Sequence, residues 1–192
     1  MSSDQNKVST QIRIATTRKP AIQLPVYIKV DPADLPLYKS LIDAAKEACQ
    51  NAYQPYSLYS VGAAVLTFDG KIHSGFNIEN CGYSQTIHAE EAAVTAALTG
   101  GVLKRAEAAG LSQFEAILAV AVHTAKGSDP WPCCNCRQFM GEFGYDMHII
   151  GEDPKSGQIL CLTLGQLVPF AFPIKDVLAN LNFARAEQVK QK

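Results

Sequence analysis

The sequence of 192 residues lacks an excess of charge of either sign: 17 basic residues face 18 acidic ones, for a formal charge of −1. No global field therefore draws it to a phosphate backbone or an anionic membrane, which argues against nucleic-acid and membrane partners. A long apolar run is also missing. Stretches such as Ala116–Val122 fall far short of the roughly 20 residues that span a bilayer. The opening Met1-Ser2-Ser3-Asp4-Gln5 is polar and carries no apolar secretory segment, so a cytoplasmic protein is expected. Disulfides are rare there, and the six cysteines read as buried thiols or metal ligands. Charged residues are few, at 18%, whereas hydrophobic ones reach 47%, which excludes a solvated disordered chain and supplies a sizeable core. Internal repeats and low-complexity tracts are absent. The length suits one compact domain with an extra terminal segment.

What is present begins to organise after the first 33 residues. Residues 1–20 are polar, with Arg13, Arg18 and Lys19, and Ala21–Val30 reads as one extended segment that could add an edge strand. We take 1–33 as an N-terminal extension, 34–185 as the main domain and 186–192 as a polar tail. Leu37, Leu41, Ala45 and Cys49 recur every four residues, with Ile42 and Ala52 beside them, which predicts an amphipathic helix ending near Tyr53–Pro55. Val61–Phe68 and Lys71–Ile78 are β-rich runs joined by Asp69-Gly70, a strong hairpin signal. An alanine-rich helix follows over Thr86–Leu98, stopped by Gly100-Gly101. Phe114–His123 reads as a strand covered on both faces. A loop leads to a short helix from Cys133 to about Phe143. Two short strands, His148–Gly151 and Leu160–Leu164, and a last helix over Ile174–Leu181 complete the reading. Strands alternating with helices after a hairpin predict an α/β fold: a three-layer α/β/α sandwich on a mixed sheet of about five strands.

Two short motifs carry chemistry. One is His88-Ala89-Glu90; the other is Pro132-Cys133-Cys134-Asn135-Cys136. Cys133 and Cys136 are three apart, so on a helix they share a face and can grip one ion. With His88 they make one imidazole and two thiolates, a set that leaves a fourth position open and suits catalytic zinc. Both motifs fall at predicted helix starts. Zinc with two thiolates and a hydroxide sums to −1, and the free N–H groups and partial positive charge of helix N-termini stabilise such a centre. Glu90, two residues after His88, is placed near the metal without binding it, ready to move protons.

Here the residues resemble a family. His88-x-Glu90 with Pro132-Cys133-x-x-Cys136 is the zinc deaminase signature. Val61-Gly62-Ala63-Ala64, Asn77-Ile78-Glu79-Asn80, Cys136-Arg137-Gln138 and Leu167-Val168-Pro169-Phe170-Ala171-Phe172 extend the resemblance to cytidine deaminases acting on free nucleosides, from about residue 37 to 180. The resemblance implies a Zn²⁺ enzyme that deaminates cytidine and 2′-deoxycytidine in pyrimidine salvage. Zinc would lower the pKa of bound water to roughly 7–9 from about 15.7. The hydroxide would attack C4 of the ring while Glu90 shuttles protons. Asn77 and Glu79, two apart on a strand, face one side and, by resemblance, hold the ribose 3′-hydroxyl. An ionised Glu79 only accepts, so it needs a free hydroxyl as donor and disfavours a 3′-phosphodiester. By the same resemblance Tyr59 packs on the pyrimidine, where the family usually has phenylalanine, and Phe172 reaches a neighbouring subunit's site. That implies a homo-oligomer, with a tetramer favoured and a dimer possible.

Several positions depart from the family pattern. Leu58 replaces a residue often polar, Glu91 an arginine found where three cysteines bind the metal, and Cys134 a common glycine. The plain readings are also open. A lone Cys-x-x-Cys is as often redox-active or structural. Asn77 and Glu79 could be edge residues, Tyr59 core packing, and Phe172 ordinary core or dimer packing. His73, His123 and His148 read as solvated or satisfied structural histidines, and Cys49, Cys81 and Cys161 as buried small hydrophobes. Rival functions are deamination of another cytosine compound (a nucleotide or an antibiotic), deamination of polynucleotide cytosine, and non-catalytic zinc binding.

Overall fold

The computed structural model describes residues 27–181 except residue 128. Arg13, Arg18, Lys19, most of the Ala21–Val30 segment and the polar tail lie outside the described residues. Five strands form one mixed sheet in the order β2-β1-β3-β4-β5, with β1 Val61–Thr67, β2 Ile72–Phe76, β3 Ile117–Thr124, β4 His148–Glu152 and β5 Ile159–Thr163. The Asp69-Gly70 signal is met by an antiparallel β1–β2 hairpin, with Gly70 at φ +77°. The strand β3 runs antiparallel to β1 and parallel to β4, and β4 pairs antiparallel with β5.

Side chains of β1 alternate between the two faces, as strand geometry requires. Ala64 and Leu66 join a core with Leu41, Ile42 and Ala45 of α1, Leu35–Cys49. Ala63 and Val65 face a second core built on α2, Ala89–Thr99, and α4, Cys134–Gly141. The expected three-layer sandwich follows from these two cores. Close approach is built into it by glycine. A Cβ at Gly62 would strike the Ala45 carbonyl of α1, and one at Gly75 would strike the backbone of α2 at Ala92 and Ala93. Ala89, Ala93 and Ala97, spaced four apart, give α2 the small face that can lie this close.

The differences from the sequence reading are local. The first helix stops at Cys49 rather than near Pro55, because Tyr53 is taken by a bridge to Ile78. Leu37 is exposed, and Tyr38 takes the buried place instead. Past Gly101, at φ +79°, an unexpected helix α3 runs over Val102–Ala108, too short for its two buried residues, Val102 and Ala106, to show a period. A one-turn helix α5, Leu164–Leu167, and a helix α6 over residues 174–181 close the described chain. Cys49 and Cys161 are buried as expected, but Cys81 is exposed in the loop after β2. His148 is satisfied by the Tyr38 hydroxyl at 2.5 Å. His73 differs: its Nε2 is buried and has no hydrogen-bond partner among the described residues. Among the described residues of the N-terminal segment, Ile28 donates its N–H to the Cys161 carbonyl at 2.8 Å on edge strand β5; most of the segment expected to add an edge strand lies outside the described residues.

Candidate metal centre and active site

Both ligand motifs sit at helix starts. His88 is the N-cap of α2 and Cys133 the N-cap of α4, each in extended backbone, and Cys136 lies fully buried in the first turn of α4. The helices converge on the same face of the sheet, which brings residues 45 or more apart in sequence into one cluster. Cys133 Sγ lies 3.4 Å from His88 Nδ1, Cys136 Sγ lies 3.3 Å from it, and the two sulfurs are 3.5 Å apart. Ligands on a tetrahedral zinc at its usual bond lengths sit about 3.5–3.8 Å from one another. The trio fits that ion within a few tenths of an ångström.

The electrostatics point the same way. Burial pushes the Cys136 thiol well up, and the neighbouring Glu90 and Cys133 push it further. A cation among the three donors removes that penalty by favouring the thiolate. Glu90 is 4% exposed, beside the cluster, and shares a side-chain hydrogen bond with the Cys136 thiol. Burial raises its carboxyl above the ordinary glutamate range, against the smaller lowering effects of its own backbone N–H, Cys136 and His88. A buried carboxyl whose proton affinity is raised is suited both to take and to give a proton.

A cavity of about 480 Å³ opens over these residues, lined among others by Tyr59, Asn77, Glu79, His88, Glu90 and Cys133. Asn77 and Glu79 lie just past the end of β2, not within it. Their segment stays extended because Ile78 bridges both Tyr53 and Ile87, so the two side chains still face the same cavity. The Asn77 amide accepts from Val61 N–H at 2.9 Å and donates to the Tyr59 carbonyl at 2.9 Å. Those bonds use two of the four it can make. Glu79 Oε2 accepts from the N–H groups of Tyr56 and Ser57 at 2.9 and 3.2 Å. The Ser57 side chain first, and these backbone donors with it, hold Glu79 below its ordinary range, so it is ionised at neutral pH. Tyr59 carries Lys126 Nζ at 5.9 Å from its ring centroid. Phe172 stands apart. It is 55% exposed and borders a different cavity with Tyr145 and Lys175, so within one chain it is not brought to the metal cluster.

The sequence reading missed several residues at this site. Glu91, noted there only for the arginine it replaces, accepts from His88 N–H at 3.0 Å and from Asn135 Nδ2 at 2.6 Å. It thus ties the start of α2 to the start of α4, one ligand motif to the other. The signal was present, since glutamate at the third helical position reaches back to the N-cap, but the Asn135 half is visible only in three dimensions. Arg137 donates to the carbonyls of Pro132 at 2.7 Å and Leu167 at 3.0 Å, fixing the loop ahead of Cys133. Trp131 also lines the cavity, and the only tryptophan of the sequence, two residues before a ligand, was a cue left unused. Glu91→Ala is expected to destabilise the metal-free protein by about 1–2 kcal/mol, lowering Tm by roughly 3–6 °C, and to speed zinc transfer to a chromogenic chelator. Wild-type values for both would show that the clamp holds nothing.

Two thiolates, an imidazole and an unligated carboxyl at paired helix starts on this sheet define a zinc hydrolase of the deaminase class. Known proteins agree. Residues 37–152 match the family described as the cytidine and deoxycytidylate deaminase zinc-binding region. Cytidine deaminase of Sporosarcina psychrophila is 37% identical over 139 residues, covering 72% of this chain and 93% of that protein. A probable cytidine deaminase of Dictyostelium discoideum is also 37% identical, over 72% of this chain and 86% of its own. The crystal structure of cytidine deaminase from Burkholderia pseudomallei superposes with a TM-score of 0.55 at 36% identity, covering 70% of this chain and 98% of that one. The chain belongs to the family of cytidine and deoxycytidylate deaminases.

Proposed function

We propose that this protein hydrolyses free cytidine and 2′-deoxycytidine to uridine and 2′-deoxyuridine with release of ammonia, as a cytoplasmic enzyme of pyrimidine salvage. The observation that carries the proposal is one cavity lined by His88 and Cys133 of the metal trio, by the buried Glu90 and by the ionised Glu79, with Cys136 buried within ligand distance of His88 and Cys133. Zinc, when bound by the trio, supplies the Lewis acidity that makes hydroxide available near neutral pH. Glu90 takes a proton from the attacking water and places it on ring N3, which makes C4 electrophilic. It then carries the proton of the new C4 hydroxyl to the exocyclic amine, which departs as ammonia. Water is consumed, ammonia is released, and the carboxylate is regenerated.

Glu79 and Asn77 set the substrate class. An ionised acceptor selects a sugar hydroxyl and repels a phosphodiester, which favours the nucleoside over a polynucleotide. Loss of absorbance from cytidine, with ammonia released in step, tests the activity; a cytosine-bearing oligonucleotide run in parallel tests the rival. Turnover of the oligonucleotide but not of cytidine would sink the nucleoside reading. Glu79→Gln keeps an acceptor for the Tyr56 and Ser57 N–H groups but removes the charge. We expect kcat/KM for cytidine to fall about 100-fold and that for 3′-deoxycytidine to change far less. Equal losses on both substrates would separate Glu79 from the 3′-hydroxyl.

Assembly into a homo-oligomer, with a tetramer favoured over a dimer, is part of the proposal. It is supported by Tyr53, Tyr56, Leu58, Ile78, Tyr83 and Ile87, all exposed large hydrophobics on the segments beside the cavity. Phe172 is a further exposed ring, assigned by family resemblance to a neighbour's site. Light scattering on the purified protein measures the order of assembly.

A further inference from the structure

At Tyr27 the N-terminal segment meets Trp131, a residue of the cavity wall, and we propose that Trp131 forms an aromatic wall against the bound nucleoside while Tyr27 is the positioning residue that holds this wall in place. The proposal rests on the nucleoside reading above and deepens it. Trp131 lines the cavity together with Asn77, Glu79, Glu90 and Cys133. It stands between Pro130 and Pro132, whose rings fix their own backbone torsions, two residues ahead of a metal ligand. The proline-flanked backbone is stiff, but the direction of the indole is left to whatever packs on it. Tyr27 packs on it: the two rings stack with centroids 6.0 Å apart and planes 16° from parallel.

Tyr27 is itself anchored. The next residue, Ile28, donates its N–H to Cys161 on β5 at 2.8 Å, and Ile28 and Val30 pack against the core under α1. The sheet edge therefore braces a ring, and the ring braces the indole. A pyrimidine and an indole are both flat π surfaces, and stacking of this kind is tolerant of substituents on either. Besides the ligand imidazole of His88, Tyr59 is the other ring among the described residues lining the cavity. A contact to the flat face of the base is equally available before and during reaction, so it acts on KM rather than kcat. That separates Trp131 from Glu90, which acts in the chemical step.

The chain contains a single tryptophan, so its fluorescence reports Trp131 alone. In the zinc-loaded full-length protein, titration with uridine, the reaction product, is expected to change the emission saturably. Trp131→Ala is expected to raise KM for cytidine about tenfold with kcat within about twofold of the wild type. Tyr27→Ala, at a half-exposed position outside the core clusters, is expected to raise KM about three- to tenfold and to make the indole easier to quench with acrylamide. Tyr27→Phe, which keeps the ring, restores both. Emission unmoved by saturating uridine, or a Tyr27→Ala protein with wild-type KM and quenching, overturns the proposal while cytidine turnover stands. Failure of the wild-type protein to turn over cytidine overturns the nucleoside reading, and this proposal with it.

Discussion

Replacing Glu90 with glutamine is expected to leave a full equivalent of zinc bound and to lower kcat on cytidine by roughly 10³–10⁴-fold. The amide has the size and shape of the carboxyl, and it fills the same 4%-exposed position beside Cys136. It cannot carry a proton, so both transfers, to N3 and to the departing amine, lose their vehicle. The His88–Cys133–Cys136 trio does not include Glu90, so metal content should not change. Stability gives an independent check. Burial raises the Glu90 carboxyl, and an acid whose folded pKa lies above its unfolded value destabilises the fold increasingly as pH rises through the unfolded value. Glutamine removes that penalty, so the metal-free variant should melt at or above the wild-type temperature at pH 7. Metal analysis, steady-state kinetics and calorimetry on one preparation cover all three. Near-wild-type turnover in Glu90→Gln would falsify the proton-shuttle assignment.

Replacing Cys136 with alanine should act on the metal itself. Its sulfur is fully buried and touches both other donors, at 3.3 Å from His88 Nδ1 and 3.5 Å from Cys133 Sγ. Two remaining ligands do not make a zinc site that survives purification. Activity should fall below detection. The protein should also lose the stabilisation that the bound ion gives the folded state, about 4 kcal/mol where free zinc exceeds Kd by about 1,000-fold. For a domain of this size that is a Tm drop of roughly 8–16 °C. Chelation of the wild-type protein should reproduce both losses, and added zinc should reverse them. Cys134 is the control: its neighbour in sequence is a ligand, but its own thiol is exposed and outside the trio, so Cys134→Ala should keep metal, melting temperature and activity. A zinc-replete, active Cys136→Ala protein would remove this cysteine from the ligand set.

The sheet and the ligand trio were legible because their signals are local. Asp69-Gly70 between two β-rich runs specifies its hairpin within ten residues, and Cys133-x-x-Cys136 declares its shared face by spacing alone. His88 and Glu90 were legible from donor chemistry and spacing, an imidazole that completes the thiolate pair and a carboxyl two residues on, and the resemblance implied the same roles. Contacts that cross the fold escaped. Asn135 gives no hint in sequence that it reaches Glu91, 44 positions away, nor does Tyr27 that it meets Trp131. The helix at Val102–Ala108 was lost because Gly100-Gly101 does end one helix and says nothing about a second starting at once. Cys81 shows the limit of reasoning from residue type. Its loop lies after β2 and leaves the side chain exposed, so cysteine's usual preference for burial did not prevail there.

The missing side chain at Gly75 has a reach beyond its own strand. Because the backbone of the ligand-bearing helix rests directly on it, the depth at which that helix seats is fixed from the sheet's outer edge. The N-cap and first turn of the same helix carry His88, an imidazole donor, and Glu90, the carboxyl proposed to carry protons. A single added methyl on the far strand would thus be felt as a displaced metal and a misaimed acid at once. In this fold the precision of the chemistry is set partly by an atom that is not there.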